Sequence, residues 1–269
     1  MRIGTAVVLL PAVLWLLWKG DLPFALLICV AAAACAFELN QLPMQGPAAG
    51  RAISGAALAS TGAAFLLPLL HHAPLPFLSV ELVLTVLVAV ACVDALFFEQ
   101  EIALAPQRVG LAVLGAVYCG VMLSALVRLR QLDHGAVWIF LALAVTWAND
   151  TGGYFAGRAF GKHKLYPRIS PSKTVEGAIG GAAFSIFWGV LVFKLGLPEV
   201  PLWGGAVIGA GASVLGPLGD LSESAMKRAF GAKDSGKLLP GHGGMLDRLD
   251  ALIFTAPFVL LCARWLLRG

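Results

Sequence analysis

Long apolar runs dominate this chain. Bounded by charges, proline or glycine, they fall at 3–18, 22–38, 52–70, 75–98, 109–127, 136–157, 176–196, 202–219 and 251–267. A run of about 20 apolar residues matches the hydrocarbon thickness of a bilayer. Inside that layer the backbone must satisfy its own hydrogen bonds, which favours helices as the spanning elements. The sequence therefore predicts an all-α, polytopic integral membrane protein with about nine transmembrane helices. Composition agrees and excludes an ordinary soluble enzyme, since 59% of the 269 residues are hydrophobic and 13% charged, against about 25% charged in a soluble domain. The first two runs share the tight Lys19-Gly20-Asp21 connection and read as a helical hairpin. The first is expected to stay uncleaved, because Trp15, Leu16, Leu17 and Trp18 stand where a signal peptidase needs small residues. The five cysteines lie inside apolar runs without metal-site spacing and read as packing residues.

Polarity is concentrated in two places. Residues 149–176 carry seven charged side chains and residues 220–250 carry ten, half of all the Lys, Arg, Asp and Glu in the chain. With the N-terminus cytoplasmic, 13 of the 19 Lys and Arg fall on the inner side, as the positive-inside rule requires. The Arg128/Arg130 pair on the outer side runs mildly against it. The seventh and eighth spans form a hairpin between the two charged loops, so both loops lie on one side and are placed to build one site. No linker separates soluble domains. The expectation is a single membrane domain over 1–269, with an N-terminal helical scaffold over 1–135 and catalytic helices and loops over 136–269.

In the second charged segment Asp220 ends the eighth span, and Asp247, Arg248 and Asp250 lead into the ninth. Ionisable groups at membrane depth are costly and face a cavity, a partner or an ion. Carboxylates arriving from two helices suit a hard divalent cation such as Mg²⁺, which shares its shell with substrate phosphates. Between them Lys227, Arg228, Lys233 and Lys237 alternate with Gly231, Gly236, Gly241, Gly243 and Gly244. Glycine lets backbone N–H groups approach an anion, and the basic side chains neutralise it. These are the parts of phosphoryl or nucleotidyl transfer, where positioning and charge neutralisation do most of the catalysis. A basic loop anchored on anionic headgroups is the plainer reading, but it explains neither the aspartates nor the glycines.

The run Ser224-x-Met226-Lys227-Arg228-x4-Lys233-Asp234-x-Gly236-x2-Leu239-Pro240-x-His242-Gly243-Gly244-Met245-x-Asp247-Arg248-Leu249-Asp250 resembles the characteristic motif of the phosphatidate cytidylyltransferase (CDP-diacylglycerol synthase) family, without departure. In the first charged segment, Ser170-Pro171-Ser172-Lys173-Thr174-x-Glu176-Gly177 is similar to a second motif of that family. Many members have a second lysine where this chain has Ser172. Ser170, Lys173 and Thr174 can donate to phosphate oxygens where a helix N-terminus begins. Asn149, Asp150 and Arg158 also look like the family's loop; Asp150 is open to a metal, a ligand hydroxyl or a structural ion pair. His163 reads as a solvated loop residue, and Glu38, Glu81 and Asp94 as isolated acids without assigned chemistry.

The resemblance implies that CTP and phosphatidic acid give CDP-diacylglycerol and pyrophosphate, a step of phospholipid biosynthesis, with Mg²⁺ held by Asp220 and Asp247. A monovalent cation such as K⁺ is allowed at the same centre. It further implies a homodimer; the cell inner membrane with cytoplasmic active-site loops is the expected location from the charge distribution, and no nucleic-acid partner is expected. Asp220, Asp247, Asp250, Lys227 and Arg248 are the expected catalytic set, with Asp250 either a metal ligand or an orienter of Arg248. Asn149, Asp150, Arg158, Ser170, Lys173, Thr174, Ser224, Arg228, Lys233, His242, Gly243 and Gly244 are the expected substrate-binding set. A CTP-dependent polyprenol or phytol kinase, a cytidylyltransferase for another lipid phosphate, and a transporter of an anionic solute are the alternatives.

Overall fold

A computed structural model of the chain describes residues 15–45, 53–99, 101–238 and 243–267. The expected span 3–18 lies outside them except for its last four residues. Helices dominate the described residues: α1 (Asp21–Gln41), α2 (Gly55–His72), α3 (Val80–Phe98), α4 (Ala105–Leu114), α5 (Met122–Arg130), α6 (Gly135–Phe160), α7 (Val175–Gly196), α8 (Leu202–Ala229) and α9 (Leu246–Leu266). A π-helical segment, Gly115–Val121, joins α4 and α5, so that Ile102–Arg130 reads as one span. Six of the helices are long and apolar enough to cross a membrane. The protein is a multi-pass, predominantly α-helical membrane protein. A short antiparallel hairpin, β1 (Lys164–Tyr166) and β2 (Ser170–Thr174), is an element the all-α expectation did not contain.

The chain divides into two compact units, Met1–Arg128 with Ala229–Arg248, and Leu129–Arg228 with Leu249–Gly269. In the first, small and branched residues of α2, α3 and α4 form the core, including Ala56, Ala63, Leu67, Val83, Leu87 and Ala112. A buried polar chain crosses this unit: Asn40 Nδ2 donates to Ser60 Oγ (3.0 Å), and Ser60 Oγ donates to the Ala112 carbonyl (2.7 Å). In hydrocarbon such bonds fix helix pairing that apolar contacts alone leave nonspecific. The segment Ala229–Arg248, placed by sequence reasoning with the C-terminal half, packs with this N-terminal unit.

In the second unit α6, α7 and α8 approach closely through small residues. A Cβ at Gly181 would lie 2.5 Å from Asn149 Oδ1, and one at Gly209 would lie 2.5 Å from the Ser185 carbonyl and 2.6 Å from Ile186 Cα. Ser185 Oγ donates to the Val145 carbonyl (3.0 Å), and Trp138 stacks edge-on against Phe193 at 5.6 Å.

Helix α8 runs ten residues past its expected end at 219. Its 28 residues span about 42 Å, more than the roughly 30 Å of hydrocarbon. Asp220 thus stands near the point where the helix outgrows the apolar layer. The helix stops before Gly231, whose φ of 69° lies in the left-handed region that glycine adopts without a Cβ clash.

Candidate active site

The carboxylate cluster, the hairpin and the pocket belong to the second unit. The extension of α8 carries a polar stripe, Asp220, Glu223, Ser224 and Lys227, at the i, i+3, i+4 and i+7 spacing that shares one helix face. Glu223 is 1% exposed and Lys227 8%, and they pair at 2.5 Å. Ser224 Oγ donates to Asp220 Oδ1 at 3.3 Å. Asp250, just past the first turn of α9, joins them. One carboxylate oxygen each from Asp220, Glu223 and Asp250 lie within 4.8 Å of one another. Asp250 is also within electrostatic reach of Asp150 and Lys227.

The hairpin supplies the opposite charge. Thr174 ends β2 and caps α7, its Oγ1 accepting from the Gly177 N–H at 3.1 Å; such a cap stabilises a helix by about 1 kcal/mol. Glu176, in the first turn, accepts from the N–H groups of Lys162 (3.1 Å) and His163 (3.2 Å), and His163 Nδ1 lies 2.6 Å from it. The helix start is therefore tied to the turn that precedes β1. His163, expected as a solvated residue, is mostly exposed yet holds this contact. Lys173, next to the cap, is turned onto Asp220 in an ion pair. That pair joins the first charged segment to the carboxylate cluster.

Beside it opens a pocket of about 460 Å³, lined by Asn149, Asp150, Tyr154, Arg158, Ser172 and Lys173 among others. Arg158 Nη1 donates to Tyr154 Oη at 3.0 Å. Asn149 is buried and Asp150 exposed, and Asp150 lies within the field of Asp220 and Lys173. Ser170 begins β2 opposite Tyr166. The pocket thus brings together Asn149, Asp150, Arg158, Lys173 and Thr174 of the expected substrate-binding set. Arg228, at the end of α8, is exposed.

In the first unit Asp247 organises the glycine-rich segment. Its Oδ2 accepts from the Ser235 N–H (3.0 Å), the Ser235 hydroxyl (3.1 Å) and the Gly244 N–H (3.0 Å). Gly243 has φ 84°, a turn that a side chain would strain. Lys233 and Arg248 are exposed, and His242 lies outside the described residues. Two differences from the sequence expectation follow. Glu223 was missed as a cluster member, although the polar i, i+3, i+4, i+7 stripe from Asp220 to Lys227 signals it once the helix is extended. Lys227, expected on substrate phosphate, is buried against Glu223 instead.

The donor set tests the implied metal. Three carboxylates within 4.8 Å form an all-oxygen cluster of like charges, which a hard divalent cation would relieve and which suits Mg²⁺ better than a soft metal. The residues fit such an ion.

Comparison with known proteins agrees with this chemistry. The cytidylyltransferase family matches residues 1–266. Proteins named phosphatidate cytidylyltransferase are similar over nearly the whole chain: that of Bacillus subtilis (strain 168) is 36% identical, covering 96% of this chain and 95% of the relative. That of Brucella suis biovar 1 (strain 1330) is 38% identical, covering 97% and 91%. That of Staphylococcus saprophyticus is 44% identical over 53% of this chain and 54% of its own length. With a polar pocket at the end of apolar helices, and with its sequence matched almost from end to end, the chain belongs to the cytidylyltransferase family.

Proposed function

We propose that this protein transfers CMP from CTP to phosphatidic acid, giving CDP-diacylglycerol and pyrophosphate, with Mg²⁺. The observation that carries the reading is the Lys173–Asp220 pair, which sets a phosphate-binding hairpin and a pocket against a carboxylate cluster. The names of relatives similar over nearly the whole chain support the substrate pair.

In this reading a phosphatidate phosphate oxygen attacks the α-phosphorus of CTP in line, and pyrophosphate leaves. The phosphate monoester is already anionic, so no covalent enzyme intermediate is required. Arg158 and Lys173 line the pocket and meet the phosphates. Asn149 and Tyr154 offer amide and phenol groups to the nucleoside. Asp220, Glu223 and Asp250 would hold Mg²⁺, and Lys227 pairs with Glu223 and orients it. The bound ion supplies charge neutralisation at the reacting phosphates. Asp247, expected from the sequence as a ligand, has three donors on Oδ2 and serves here as organiser of the glycine-rich segment. Ser224 steadies Asp220, while Lys233, Arg228 and Arg248 remain as exposed cations suited to attracting anionic substrate.

The site stands where α8 outgrows the hydrocarbon layer, so a lipid phosphate and a water-soluble nucleotide can both reach it. Nine spans, with the N-terminus and both charged segments cytoplasmic in the inner membrane, follow the positive-inside distribution. α2 and α6, at 18 and 26 residues, add length-competent spans to the six most apolar helices. The homodimer and a monovalent cation beside Mg²⁺ rest on the family resemblance. The test is pyrophosphate release by detergent-purified protein with CTP or ATP, several lipid phosphates, and Mg²⁺ or chelator. CTP with phosphatidic acid and Mg²⁺ should be the productive combination. No release from it, or equal release with ATP, would refute the reading, and solute uptake without nucleotide consumption would favour a transporter.

A further inference from the structure

Glu38 lies on α1 in the first unit, nearly 200 residues from the glycine-rich segment that it touches. Its side chain is 2% exposed, and an acid at membrane depth is retained with a partner or a task. Glu38 Oε2 accepts the Ser235 hydroxyl at 3.0 Å and the Leu246 N–H at 2.9 Å. These donors stand on the two flanks of the glycine-rich segment. Ser235 also reaches Asp247, which holds the Gly244 N–H in turn. The Ser235 hydroxyl has a single proton and lies between two carboxylates, so the Glu38 and Asp247 contacts are coupled through it.

Packing shows the same dependence. A Cβ on Gly236 would lie 2.7 Å from Glu38 Cδ, and one on Gly244 would lie 2.6 Å from Glu38 Oε2. Both flanks are wound tightly on this one carboxylate. Glu38 Oε1, by contrast, is buried with no hydrogen-bond partner among the described residues. A buried polar atom without a partner is destabilising, and an apolar residue of similar volume would serve stability alone as well or better.

We infer that Glu38 is a positioning residue for the transfer reaction, acting through Ser235 and the Leu246 N–H to hold Gly244 and Asp247 in their active arrangement. The inference rests on the proposed nucleotidyl transfer. It touches no substrate and so belongs to kcat rather than to substrate affinity.

The experiment measures pyrophosphate release from CTP and phosphatidic acid per folded molecule, with folding followed by monodispersity and Tm in detergent. Glu38→Ala should lower kcat at least thirtyfold while KM for CTP moves less than threefold. Glu38→Gln, which keeps an acceptor oxygen for both donors, should retain at least a third of the wild-type kcat. Ser235→Ala should lower kcat by itself, and the Glu38→Ala/Ser235→Ala double variant should be no worse than the poorer single one. Wild-type kcat in Glu38→Ala, multiplying effects in the double variant, or a Gln variant as poor as Ala would overturn the inference. If Glu38→Ala does not fold, Ser235→Ala and Glu38→Gln decide: an indifferent Ser235 or an inactive, folded Gln variant refutes it. A wild-type protein that releases no pyrophosphate defeats the proposed function instead, whereas an active wild type indifferent to Glu38 defeats this inference alone.

Discussion

Replacing Glu223 with glutamine tests the carboxylate cluster at the residue the motif comparison did not single out. The change keeps shape and removes one charge. Around the cluster three carboxylates face two lysines, with Lys173 on Asp220 and Lys227 on Glu223, a net charge of −1. Glutamine brings that to zero and leaves a buried Lys227 without the carboxylate it paired with. Two unit charges about 4 Å apart are worth about 4 kcal/mol at an effective dielectric of about 20, and more for a divalent ion. Water and substrate phosphates entering the open side return most of this. A net loss of about 1.4 to 2.8 kcal/mol in cation binding is expected, a 10- to 100-fold rise in half-saturating Mg²⁺. Breaking the buried Glu223–Lys227 pair also costs about 3 to 5 kcal/mol of stability, visible as a lower Tm in detergent. The assay is pyrophosphate release titrated with Mg²⁺, and activity should recover substantially at high Mg²⁺. A folded Glu223→Gln protein with the wild-type Mg²⁺ dependence would refute both the ligand assignment and the charge argument behind it.

Asp247→Asn should behave differently: it weakens acceptance from Ser235 and Gly244, so activity should fall and added Mg²⁺ should not restore it. Recovery at high Mg²⁺ in this variant would make Asp247 a ligand after all. Lys173→Met removes the cation from both Asp220 and the pocket and should lower kcat/KM about 100-fold, or ~2.7 kcal/mol, with Lys173→Arg retaining part of it; steady-state kinetics decides. Gly209→Ala, which meets backbone within 2.6 Å, should destabilise by about 1 to 3 kcal/mol. Gly62→Ala, with nothing within 4 Å, should be neutral or slightly stabilising; comparing Tm values checks both.

Apolar runs made the membrane class and most helix positions legible, because bilayer thickness and backbone hydrogen bonding leave a chain of this hydropathy few options. Val175–Gly196 begins one residue before the expected 176, and Leu246–Leu266 five residues before the expected 251, taking Asp247 and Asp250 into the helix. The end of α8 was less legible. Its polar residues looked like loop because hydropathy stops at Asp220, whereas helical propensity continues to Ala229. The hairpin was hidden for a related reason, since its three- and five-residue strands are too short for a periodic signal.

By itself the sequence determined the chemistry on offer: acids, bases and glycines crowded into two stretches of an otherwise uncharged chain, in motifs dense enough to mark the family. Only the tertiary structure decided how they are shared out. Lys173 meets Asp220, Glu223 enters the carboxylate cluster, and Asp247 and Glu38 grip Ser235 across long sequence separations. Periodicity reports which face of a helix is polar, but not which other helix supplies the partner. That choice is made by packing, where small residues such as Gly181 and Gly209 let particular backbones close to contact and so select the side chains that meet.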